Sequence, residues 1–222
     1  MTSLLGRMKP PPDRAPTEVE QQLMELGHDF FGLMKATRHF IGHALLHQPA
    51  VQPLRISPTE FDFNEFAALT ALVSAADRLT DFINVSALGK KIKEKCPNKT
   101  AFKKLRGSGL GAEADALQNG FEAILKARIA RNELVHKLAT HPARVQRLLI
   151  ERDREAFEKQ RWPPRNNPEI PHEDFLRDQN LRDAKELADV EERSKFLCNC
   201  YVKLVKMGDL SFRSEHSLRH AK

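Results

Sequence analysis

The spacing of apolar residues constrains this chain more than any other feature: over long stretches they return every three or four positions. That spacing lays them along one stripe of an α-helix, whereas a half-buried strand needs strict alternation. Leu23, Leu26, Phe30, Leu33, Met34 and Ile41 predict a first long helix. Thr17 opens it as N-cap, with Glu20 three residues on completing a capping box. Pro49 and Pro53 break the pattern. Ser57 or Thr59 starts a second helix, with Phe63, Phe66, Leu69, Leu72, Val73, Ala76, Leu79 and Ile83 on its apolar side. A lysine-rich connection over 84–111, with short helical pieces around 90–95 and 100–105, leads to a third helix over 111–138. Its apolar positions are Leu117, Phe121, Ile124, Leu125, Ile129 and Leu134. A charged helix over 142–160 follows, then the proline-rich loop WPPRNNPEIPH at 162–172, then a last helix over 173–207 with Gly208 as its stop. No β-branched alternation occurs. The expectation is an all-α bundle of four to five principal helices.

One helical domain is expected over residues 17–209, between a flexible arm at 1–16, carrying Pro10, Pro11, Pro12 and Pro16, and a flexible tail at 210–222. Hydrophobic residues make up 41% and charged residues 30%, as in soluble globular proteins. No apolar run reaches the ~20 residues of a membrane span, and the N-terminus lacks the apolar core of a secretory signal. Three cysteines argue against a disulfide framework and for a reducing, cytoplasmic setting. Cys198 and Cys200, two apart on a helix, read as packing residues rather than metal ligands.

Near the end of the third helix stands Arg131-Asn132-Glu133-Leu134-Val135-His136. A guanidinium can hold a phosphate through two parallel charged hydrogen bonds. An imidazole titrates close enough to neutrality to move a proton at either end of a phosphodiester exchange. With 19 Arg and 9 His, R-x4-H occurs by chance roughly 0.8 times in such a chain, and with Asn after the Arg roughly 0.03 times. A second copy, Arg38-His39-Phe40-Ile41-Gly42-His43, lies in the first helix, where packing by Phe40, Ile41 and Leu45 accounts for it. The bland reading of RNELVH is a solvated helix end with its cations near the last carbonyls.

RNELVH resembles the R-x(4–6)-H signature of the HEPN superfamily, in which Asn, Asp or His commonly follows the Arg. The resemblance is one of motif and helical context. It implies a HEPN-like helical bundle and a metal-independent endoribonuclease with no cofactor, in which the ribose 2′-OH attacks its own phosphodiester. Arg131, Asn132 and His136 would be the catalytic set. Five residues on one helix are about 140° apart, so the resemblance also implies a homodimer whose two motif helices share a cleft. The face around Ile124, Ala127, Leu134 and Leu138 is the expected contact. Standalone relatives act as toxins or in phage defence, some beside an antitoxin or other regulatory protein. The antitoxin of certain members modifies a Tyr two places after the motif His. Here Lys137 and Leu138 follow His136, which puts that form of regulation in doubt.

Charge is unevenly placed in a chain of net +6. Residues 86–106 carry eight basic groups against Glu94, and residues 126–165 carry eleven against five acids. Lys126, Arg128 and Lys137 around the motif, with Lys103, Lys104 and Arg106 folded back beside it, would form an RNA-binding surface. His39, His43 and His47 share a helix face, but no carboxylate completes a metal site and a wetted edge explains them. The glycines of 107–111 read as a turn. Against the enzyme stands a non-catalytic helical module for dimerisation or for RNA or protein binding.

Overall fold

The computed structural model describes residues 14–46, 58–90, 96–140 and 172–220, with side chains described at 14–45, 64–90, 96–135 and 188–219. The expected elements at 142–160 and 162–172 and most of the N-terminal arm lie outside them. The described residues form five helices: α1 (Glu18–Leu46), α2 (Pro58–Leu88), α3 (Lys99–Gly107), α4 (Gly111–Thr140) and α5 (His172–His220). No strand occurs among the described residues, so the chain is an all-α bundle.

The capping box forms as the sequence predicts. The Thr17 amide donates to Glu20 Oε2 at 2.8 Å, and the Glu20 amide donates to Thr17 Oγ1 at 3.3 Å. Arg14 adds two guanidinium bonds to the same carboxylate. Together these hold the Glu20 carboxyl at about 2, well below the ordinary carboxylate range; the Arg14 bond is the largest cause. At the other end of α2, buried Asn84 accepts from the Asn98 amide, and Asn98 caps α3 by accepting from the Thr100 amide. α3 closes on Gly109 at φ +80°, with Leu110 N donating to Leu105 O and Gly109 N to Arg106 O. That pair of bonds is a Schellman motif, and it explains the glycine. The expected turn is therefore a defined one.

α1 and α2 run antiparallel, with Asp29 reaching Arg78. α5 runs along α2 in the same direction, since Glu65 meets Arg193 near one end and Phe82 meets Phe212 near the other. α4 starts beside the α3 end of the bundle and returns until Arg128 reaches Asp77. α1 and α4 each pack on both α2 and α5, so α2 and α5 form the central pair. The inward residues of α2 include Ala68, Ala75 and Ala76, all fully buried, which lets neighbouring backbones approach closely.

The C-terminal expectation is corrected. Gly208 does not stop the last helix, which continues to His220. Phe212 is buried among Phe30, Phe31 and Phe82, stacked on Phe31 at 5.3 Å and edge-on to Phe82 at 4.7 Å. Residues 210–219 thus continue the helix and bury Ser211, Phe212, Ser214 and Glu215 against the bundle, where a tail was expected. Cys200 packs in the same core and Cys198 beside it, and burial pushes both thiols up.

Candidate functional site

α4 positions the motif. Its inner stripe, Ala114, Leu117, Phe121, Ile124 and Ala127, is buried and fixes the rotation of the helix. Arg131 is half-buried at the edge of that stripe, and Asn132 is exposed beside it. The Arg131 guanidinium donates twice to Asn132 Oδ1, from Nη2 at 2.7 Å and from Nε at 3.2 Å. Asn132 therefore orients the guanidinium. His136 and Lys137 are in α4 by their backbone, and their side chains lie outside the described residues. By helical spacing, position 136 follows 125, 129 and 132 along one stripe.

The expected binding cations separate into three kinds. Lys126, Lys103 and Lys104 are exposed. Arg128 is not a surface contact: it is buried and paired with Asp77 of α2, because α4 turns this position toward the central helices. Arg106 donates to Asp115 at 2.7 Å and to Gln118 at 3.1 Å, tying α3 to the first turns of α4. That tie overturns one expectation. Arg131 lies 13 to 16 residues beyond those partners, about 20–24 Å along the helix axis. Arg106, and α3 with it, does not fold back beside the motif.

The expected dimer face is also corrected. Ile124 and Ala127 are 1% and 0% exposed in the chain's own core, and Leu134 packs partly against it. Leu138 lies outside the described side chains. Among the described residues, the apolar surface that α4 leaves open is instead Leu125 and Ile129, about half exposed, with Val135 nearby in sequence. No family model, no curated protein and no solved structure matches the chain.

In the second motif copy, Ile41 is buried and Phe40 and Leu45 partly so, which bears out the packing reading of the inward side. Arg38, His39 and His43 face outward, on a helix that flanks the central pair on the side away from α4. The two copies are not brought together. Among the described residues no three His, Cys, Asp or Glu side chains gather as a metal site, and no helix is long and apolar enough to cross a membrane.

Proposed function

We propose that the chain is a metal-independent RNA endonuclease of the HEPN type, acting through Arg131, Asn132 and His136. The Arg131–Asn132 clasp is the observation that carries this reading. It ties the guanidinium of half-buried Arg131 to exposed Asn132 at the surface of a helix, with exposed Lys126 close by in sequence. An oriented guanidinium loses less freedom on gripping a phosphate than a mobile one.

In the proposed step the ribose 2′-OH attacks the adjacent phosphorus. The 2′-O–P bond forms, the P–O5′ bond breaks, and a 2′,3′-cyclic phosphate remains. The proton leaving the 2′-OH passes to a histidine acting as base, and a protonated histidine delivers one to the departing O5′. His136 of each protomer would fill one of these roles, and Arg131 would hold the charge gathering on the phosphoryl oxygens. Two copies meeting through Leu125 and Ile129 would bring Asn132 and position 136 of each together about a two-fold axis, since 132 and 136 share that stripe, and Arg131 would reach this face through its bond to Asn132. A toxin or defence role and a regulatory partner would follow from the same resemblance, and the three cysteines favour a cytoplasmic place.

The test is incubation of the purified chain with mixed RNA in EDTA. Fragments ending in cyclic or 3′-phosphate, lost in His136→Ala with helicity unchanged, support the reading. Equal activity in both proteins overturns it. RNA bound without cleavage at any protein concentration makes the chain a binding module instead.

A further inference from the structure

The outward side of α1 carries a depression of about 370 Å³ lined by Lys35, Arg38, His39, Gly42 and His43. Its described lining holds two fixed cations and two imidazoles and no carboxylate. The imidazole rings stand edge to face with centroids 4.4 Å apart, and both line the depression. Gly42 adds a second observation. It sits in the middle of a helix, where glycine costs about 1 kcal/mol relative to alanine. Packing does not call for it, because a Cβ built there meets nothing within 4 Å. The missing side chain leaves the depression open.

We propose that this depression binds a phosphate group. The Arg38 fork can grip two phosphate oxygens, Lys35 adds a point charge, and His39 and His43 offer ring N–H donors. A divalent cation fits worse. Two histidines four residues apart usually need a third protein ligand, and the two neighbouring cations repel it. The phosphate can belong to a free phosphomonoester or to the backbone of a nucleic acid; the chemistry of recognition is the same. The site is on a different helix from RNELVH and stands whether or not the chain cleaves RNA.

Amide resonances of the isotopically labelled full chain, followed while inorganic phosphate is added at constant ionic strength, provide the test. The expected result is a saturable shift confined to residues 35–43, absent with added chloride. Arg38→Ala should weaken binding about tenfold or more, the value of a charged hydrogen bond. Gly42→Leu should abolish it by filling the depression, while Gly32→Ala, in a position equally open but outside the lining, should leave it unchanged. A short single-stranded DNA, which lacks the 2′-OH, then separates the sources. Displacement of phosphate by the oligonucleotide assigns the backbone, and no displacement assigns a small phosphate ester. Absence of a saturable shift, or unchanged binding in Arg38→Ala or Gly42→Leu, overturns the proposal. Since Arg38→Ala alters only an exposed side chain, it remains decisive should the leucine variant fold poorly. RNA cleavage and its loss in His136→Ala read the α4 site separately.

Discussion

Gly208 of α5 lies against the edge of the Phe30 ring of α1. A Cβ at that position would fall 2.7 Å from Phe30 Cε1 and 2.8 Å from Cζ. The ring is 1% exposed and belongs to the aromatic cluster, so it has no room to retreat. Gly208→Ala should therefore lower stability by about 1–3 kcal/mol through overpacking, even though alanine is the better helix former. Gly32→Ala is the control. In open space it should raise stability by about 0.5–1 kcal/mol. Urea denaturation of the two variants should show midpoints moving in opposite directions. A rise for both would disprove the close approach.

Glu65 on α2 and Arg193 on α5 join the two central helices, and the Glu65 side chain is only 7% exposed. Arg193→Ala would leave that carboxylate without its main partner. We expect a loss of about 2–3 kcal/mol, toward the lower side of what an orphaned buried charge costs, since Arg193 keeps some contact with water. Replacing both residues by leucine should recover most of the loss. A double variant as unstable as the single one would show that the pair supplies more than charge compensation.

Glu20 should leave a signature in acid. Its folded pKa, about 2, is depressed from an ordinary value of 4.5. A depressed carboxylate adds stability that is complete above the unfolded value and disappears as pH falls through the folded one. Between pH 4.5 and about 2 the melting temperature should drop more steeply in the wild type than in Glu20→Gln. Equal slopes would mean the Arg14 and Thr17 bonds contribute nothing in solution. Glu215 runs the other way: burial raises its pKa, opposed by Arg219. It should be compared through its own Glu215→Gln variant.

Leu125 and Ile129 give a test of assembly. If two copies meet through this stripe, Leu125→Glu with Ile129→Glu should convert a dimer to a monomer in sedimentation and abolish cleavage, with little loss of stability because both side chains are already half exposed. A wild-type monomer at micromolar concentration that cleaves in first order would refute the shared cleft.

Lys126 and Arg128 should differ although they stand two residues apart. Lys126→Ala should weaken RNA binding and lower the slope of log affinity against log salt by about 0.7. Arg128→Ala should instead destabilise the fold, because Asp77 loses its partner. Similar salt slopes for both variants would contradict the inward placement of Arg128.

Much of the fold was legible because helices announce themselves locally. The Thr17–Glu20 box, the turn between α3 and α4 and the buried stripe of α2 all depend on neighbours within a turn or two. What escaped depends on residues far away in sequence. Gly208 looks like a helix stop, and only the Phe30 ring reveals it as a point of close approach. α4 offers apolar residues at both 124 and 125 and at both 127 and 129, and spacing alone cannot say which stripe its neighbours cover. The same ambiguity hid Arg128, a surface cation by composition and an internal one by rotation of the helix. The two basic blocks looked adjacent because charge counting carries no distance, and α4 then set Arg106 and Arg131 far apart. RNELVH itself was plain to read, but the Arg131–Asn132 clasp required side-chain geometry.

The place of α5 also decides when this chain can fold. The other four described helices leave the ribosome before it, yet it is one of the two that the rest enclose. Until Leu197, Leu204 and Phe212 arrive, the α1–α2 pair must wait with its aromatic side uncovered. A nascent chain cut short before α5 lacks the helix that covers this aromatic side, and the interval before α5 emerges is the one in which a chaperone matters most.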